Sequence, residues 1–281
     1  MRLANFSSTA LSLSSLASAS ASATASLMSD TRHVSNTATQ PRNFGVVIFP
    51  SFQALDVFGP LDILNILSSS RHMNLSLIAE TLDPVSTAPT QPQHNRFHSS
   101  FAERLVPTHT FSEPPPGLEV LFVPGGLGTR APADQLEPVV SFIRTAYPSL
   151  KYLITVCTGA GLAARAGVLD GKRATTNKKA WVETVALGPK TYWVAKARWV
   201  ADGNIYTTSG ITAGIDGTFG WIEEVFGSDK AEELAVNMEY LRVKDADNDP
   251  FAVYWNVTDV PPVAGDVQTD EKPGPGSADE L

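Results

Sequence analysis

Cys157 is the only cysteine in the 281-residue chain. It closes a short β-rich run, Leu150 to Val156, and opens onto Thr158-Gly159-Ala160-Gly161 and a helical pattern. Strand, sharp turn and helix in that order make an elbow that exposes a nucleophile at the carboxyl end of a sheet. The following helix points its amino terminus, the positive end of its dipole, at the sulfur. Such a field lowers a thiol pKa from about 8.5 towards 7 or below and favours the nucleophilic thiolate. A small buried hydrophobe is the bland alternative for a lone cysteine. The glycine-rich turn shifts the weight to a working thiol.

A thiolate attacking an electrophile needs donors for the negative charge that develops. Gly125-Gly126 follows the apolar run Leu118–Val123, and glycine allows unusual dihedrals and close approach. The two amides are expected to supply donors, with the Thr158 amide as another. The same step needs a proton donor, and Asp56 is the carboxylate this arrangement brings within reach. Taken singly, Asp56 reads equally well as a helix cap and Gly125-Gly126 as a plain turn. Three strand ends converging on one place argue for the site.

The elements that must position these residues alternate along the chain. Phe44–Phe49 and Leu118–Val123 are continuous apolar runs, the mark of strands covered on both faces. Asn74–Ala79 and Leu150–Val156 read as further strands. Residues 56–67, 134–147, 158–166, 212–226 and 229–241 read as helices, with Pro138 in the first turn of the second. Residues 83–96 read as a loop leading into an excursion or hairpin. Tyr192–Val200 and Ile205–Ser209 flank Asp202-Gly203, a strong hairpin signal. Strand–helix alternation predicts an α/β fold with a mainly parallel sheet sandwiched between helices. Function in such sheets gathers at the carboxyl ends of the strands.

The net charge of −8 and the lack of a basic stripe argue against nucleic acid, whose phosphates demand clustered Lys and Arg. No apolar stretch approaches the roughly 20 residues that span a bilayer. His94 and His98 share a polar, Pro-flanked loop and do not read as metal ligands, so neither metal nor cofactor is expected. Lys178 reads as a solvated cation. Trp181, Trp193, Trp199 and Trp221 read as core or interface aromatics.

The two ends differ from the middle. Residues 1–40 are Ser/Ala/Thr-rich, with Arg2 early and no acid before Asp30. Ala19-Ser-Ala21 and Ala23-Thr-Ala25 resemble signal-peptide exits, and Met28 offers an alternative start. Ala278-Asp-Glu-Leu281 resembles an ER-retention tetrapeptide. The ends therefore leave the endoplasmic reticulum and the cytoplasm as alternatives. The sequons at Asn74 and Asn256 matter only in the former. Residues 246–281 read as an irregular tail in which Phe251-Ala-Val-Tyr-Trp255 forms an apolar patch that docks on the domain or on a partner.

These same stretches resemble the ThiJ/PfpI superfamily. The resemblance is carried by Phe49-Pro50, Gln53-Ala-Leu-Asp56, Gly59-Pro60, Val123-Pro-Gly-Gly126 and Thr155-Val-Cys-Thr-Gly159. It continues through Leu169-Asp-Gly-Lys-Arg173-Ala-Thr-Thr176 and Ser209-Gly-Ile-Thr-Ala-Gly-Ile-Asp216. Five motifs in order over residues 43–242 are similar above all to those of the isonitrile hydratases. The resemblance implies a flavodoxin-like three-layer sandwich, a homodimer and a small-molecule substrate. It implies Cys157 as nucleophile, Asp56 as acid/base, Thr158 assisting, and Ile211 and Thr212 lining the pocket. Many relatives carry histidine where this chain has Asn177, which weakens chemistry that relies on a Cys–His pair. The expected activity is cofactor-free hydration of an isonitrile to a formamide. The alternatives are a glyoxalase- or deglycase-like enzyme on small aldehydes and a non-catalytic redox sensor.

Overall fold

Short β-branched and aliphatic runs build the sheet of the computed structural model, which describes residues 40–263. The first half of the chain gives β1 (Asn43–Val47), α1 (Ala54–Ser68), β2 (Asn74–Ala79), β3 (Val85–Ser86), β4 (Arg104–Leu105), β5 (His109–Thr110), β6 (Val120–Val123) and α2 (Ala133–Ala146). The second gives β7 (Tyr152–Thr155), α3 (Gly159–Arg165), β8 (Arg173–Ala174), α4 (Trp181–Val185), β9 (Tyr192–Trp193), β10 (Trp199–Asp202) and β11 (Ile205–Thr208). Three helices follow: α5 (Ala213–Phe226), α6 (Ser228–Asn237) and α7 (Phe251–Tyr254).

Seven strands form one sheet in the order β10-β11-β7-β6-β1-β2-β5. Every pairing in it is parallel except the β10–β11 hairpin. β6 is buried along its whole length, as its unbroken Val-Leu-Phe-Val run requires of a strand covered on both faces. Helices α1, α5 and α6 pack together as one layer, while α2, α3 and α4 pack together as another. The α2 contacts follow from Leu136, Val139, Val140 and Ile143, spaced to fall on one face and buried there. Pro138 lies in the second turn of α2 and not the first.

Register fixes where the loops emerge. Val123 at the end of β6 pairs with Thr155 at the end of β7, and β1 runs parallel beside β6. The chain therefore leaves all three strands at the same edge, where Pro50–Gln53, Gly125-Gly126 and Cys157 lie.

The strand expected over Tyr192–Val200 is broken between Trp193 and Trp199. The intervening backbone bonds to the carboxy-terminal segment instead: Arg198 N–H donates to the Ala246 carbonyl at 2.7 Å, and Asp249 N–H to the Lys196 carbonyl at 2.8 Å. Val260 pairs with Trp193 as an isolated bridge. The apolar patch expected to dock from this segment does so only through Ala252, while Phe251, Val253, Tyr254 and Trp255 remain exposed. The proposed targeting segment, Met28 and Ala278–Leu281 lie outside the described residues.

Candidate active site

The elbow after β7 is built on an unusual backbone. Cys157 adopts φ +58°, a left-handed conformation that a side-chain-bearing residue keeps only when its surroundings enforce it. Its peptide is held on both sides. The Cys157 N–H donates to the Ser209 carbonyl at 3.0 Å, and the Thr176 hydroxyl donates to the Cys157 carbonyl at 2.8 Å. Thr158 caps α3, and the sulfur sits at the turn with only 5% of the residue exposed.

Three donors surround the sulfur. Asn177 Nδ2 donates to Sγ at 3.1 Å, and the backbone N–H groups of Ile211 and Thr158 also hydrogen-bond to it. Ile211 faces the sulfur because its own φ is +40°. Thr212, the N-cap of α5, is exposed, and its hydroxyl accepts from Arg198 at 3.4 Å. Arg198 pairs with buried Asp216 of α5 at 2.7 Å, which anchors that helix start.

Asp56, in the first turn of α1, is 1% exposed. It does not cap the helix. Its Oδ2 accepts the Gly125 N–H at 2.9 Å, its Oδ1 is buried without a hydrogen-bond partner, and the Cys157 thiol is the neighbouring group that favours its charged form. Burial raises the carboxyl pKa to about 7 against the opposing pull of Gly125 and Cys157.

The same burial overturns the low thiol pKa expected from the elbow. Desolvation, and then the charge of Asp56, push Cys157 up to about 12, despite the donors from Ile211, Asn177 and Thr158. A seven-residue helix start cannot offset the removal of the sulfur from water. Burial thus disfavours the charged form of both groups, the thiolate of Cys157 and the carboxylate of Asp56.

The Gly125-Gly126 amides also differ from expectation. Gly125 N–H is engaged by Asp56, and Gly126 N–H donates to the Thr158 hydroxyl at 3.1 Å. That hydroxyl also accepts from Thr129 at 3.0 Å. These groups tie three loops together and do not stand open to a substrate. The approach is close enough to exclude any side chain at Gly125, whose Cβ would lie 2.6 Å from the Thr158 amide and hydroxyl. Of the glycine pair, Gly126 is the one with positive φ, at +132°.

Lys178, expected to be solvated, is 3% exposed. Its ammonium lies 2.7 Å from Thr175 Oγ1, 3.0 Å from the Thr176 carbonyl and 2.9 Å from the Ala197 carbonyl. It pairs with Asp249 at 3.4 Å and lies over the Trp181 ring. The expected departure at Asn177 marked a lost histidine, yet that residue reaches the sulfur. Ser209 opens a motif that was recognised, whereas Asp249 stands among Asp245, Asp247 and Asn248 with nothing to single it out.

Among the described residues, no group of three His, Cys, Asp or Glu side chains could hold a metal ion. No described helix is long and apolar enough to cross a membrane. A cavity of about 890 Å³, lined by residues including Phe111, Glu119 and Lys151, contains none of the site residues.

A model of the DJ-1/PfpI family matches residues 44–224. The chain is 37% identical over 196 residues to an isonitrile hydratase of Pseudomonas putida, an alignment covering 70% of this chain and 77% of that protein. A ThiJ/PfpI family protein from Pseudomonas syringae matches with a TM-score of 0.58 at 28% identity, covering 82% of this chain and 86% of the other. DJ-1beta of Drosophila melanogaster shares the fold at a TM-score of 0.55 and 18% identity, over 71% and 98% of the two chains.

Proposed function

This chain belongs to the DJ-1/PfpI family, and from that premise we propose that it is a hydratase converting isonitriles to N-substituted formamides through Cys157. The observation that carries the reading is the buried Cys157–Asp56 pair, a protonated thiol beside a carboxyl that titrates near neutrality. The similarity to the P. putida isonitrile hydratase supports the same chemistry.

In this reading Asp56 takes the thiol proton as the sulfur adds to the terminal isonitrile carbon. Asn177 and the Thr158 and Ile211 amides stabilise the sulfur while it is anionic. Asp56 returns the proton to that carbon, giving a thioimidate, R–N=CH–S–Cys157. The carboxylate then removes a proton from water as its oxygen adds to the same carbon. Protonation of nitrogen and expulsion of the sulfur release R–NH–CHO and restore the thiol. Carbon, proton and oxygen balances close without an external oxidant or reductant. A cysteine only 5% exposed suits a slim, linear electrophile, which an isonitrile terminus is.

The test is formamide production from an aryl isonitrile by the full chain, with Cys157→Ala alongside. Cysteine-dependent turnover is the expected result, and an Ala variant that keeps the wild-type rate would remove the mechanism. A homodimer belongs to the same reading and is checked by sedimentation.

A further inference from the structure

The family match ends at residue 224, yet a side chain from beyond it enters the site. Asp249 is 1% exposed. Its Oδ2 accepts the Ser209 hydroxyl and lies 3.4 Å from the Lys178 ammonium, while its Oδ1 accepts the Phe251 N–H at 3.1 Å. Ser209 and Thr176 are the two residues that grip the Cys157 peptide, one through its carbonyl and one through its hydroxyl. Asp249 holds Ser209, and Lys178 holds the Thr176 carbonyl.

The ion pair thus spans the two sides of a nucleophile backbone kept at positive φ. It is also linked along the chain to the residues that donate to the sulfur. Lys178 follows Asn177 in sequence, and Ser209 stands two residues before Ile211, so the donors from both run through the same clamp.

We propose that Lys178 and Asp249 form a positioning pair, through which the carboxy-terminal segment fixes the conformation of Cys157 and its sulfur donors. The proposal rests on Cys157 being the reactive group, but not on isonitrile being its substrate. Neither residue touches the sulfur, so neither is a catalytic residue. One consideration argues against a purely structural pair: a buried ion pair is weak support for stability, because desolvating two charges offsets most of their attraction.

The experiment compares full-length wild type, Asp249→Ala and Lys178→Met in two assays. One is isonitrile turnover. The other is the rate at which methyl methanethiosulfonate modifies the sole thiol, followed by mass spectrometry. Lys244→Ala, which breaks an exposed pair with Glu232, is the control. The expected result is a kcat at least tenfold lower with KM within threefold, and thiol modification at least fivefold faster, since a released Cys157 leaves its buried position. Both quantities within twofold of wild type would overturn the proposal. Should wild type turn over no isonitrile, the thiol rate alone decides, and only the hydratase reading fails. Should Asp249→Ala not fold, Ser209→Ala removes only the hydroxyl bond to Asp249, and the same two outcomes apply.

Discussion

Asn177 donates its side-chain amide to the sulfur of Cys157 at 3.1 Å, while its own carbonyl oxygen accepts the Ala180 N–H. The second bond fixes which end of the amide faces the sulfur. A carboxamide does not accept a proton near neutrality, so Asn177 supports a sulfur anion without competing with Asp56 as the base. The position where the family resemblance leads to the expectation of a histidine is therefore filled by a donor of fixed polarity.

Asn177→Ala removes one of three donors to the anionic sulfur. Hydrogen bonds to charged groups contribute about 1.5–3 kcal/mol, so kcat is expected to fall by roughly tenfold or more. Asn177→Asp places a second carboxylate beside the sulfur, and its loss is expected to be greater. Steady-state kinetics of the two variants in parallel check the order, and an Asp variant as active as the Ala variant contradicts this role.

Attack in the proposed mechanism begins with Asp56 ionised, ready to accept the thiol proton. Its pKa of about 7 makes kcat/KM rise with pH through neutrality to a plateau. Asp56→Asn is expected to abolish that limb and to lower the rate by roughly 10²–10⁴-fold. A pH–rate profile of each protein between pH 5 and 9 is the measurement.

The same carboxyl predicts a stability effect of opposite sign. Asp56 titrates at 3.8 in the unfolded chain and near 7 in the fold. Its contribution is fully present below pH 4 and is lost as pH rises through 7, because ionisation buries a charge. Asp56→Asn keeps an acceptor for Gly125 and carries no charge. It is expected to melt above wild type at pH 8, with a gain in unfolding free energy on the order of a few kcal/mol, and to lose that advantage near pH 4. Thermal melts at the two pH values decide.

Gly125→Ala places a methyl group 2.6 Å from the Thr158 amide nitrogen and hydroxyl and 3.0 Å from the Cys157 Cβ. All three of those atoms belong to the elbow, and Asp56 is bonded to Gly125 itself, so relief of the clash displaces the sulfur and Asp56 together. A loss on the order of 100-fold in kcat is expected from a shift of about 1 Å, together with a lower melting temperature. Gly203→Ala, at a distant hairpin turn with a positive φ and no such contact, is expected to lower the melting temperature while leaving kcat unchanged, and comparing the two separates site damage from loss of stability.

Most of the sheet and its neighbouring helices were legible because periodicity and turn chemistry report local structure. Val120–Val123 reads as a buried strand, and Asp202-Gly203 as a hairpin, from a few residues each. The strand ends carrying Asp56, Gly125 and Cys157 were legible for the same reason. What was hidden is long-range or collective. The pKa of Cys157 depends on how completely the fold excludes water, which spacing does not encode. The amides of Gly125 and Gly126 looked available because their acceptors, Asp56 and Thr158, lie on other loops. Lys178 looked solvated because its partner, Asp249, is 71 residues away and belongs to a segment that reads as irregular.

The burial of Cys157 separates storage from use. Disulfide exchange and peroxide oxidation both draw on standing thiolate, and a thiol pushed up to about 12 offers very little of it. In the proposed mechanism the sulfur is deprotonated only when an electrophile slim enough to reach it makes the transfer to Asp56 worthwhile. Burial of the sole cysteine is therefore expected to slow its reaction with disulfides and peroxide, and selectivity is exercised at the moment of ionisation as well as by the shape of the pocket.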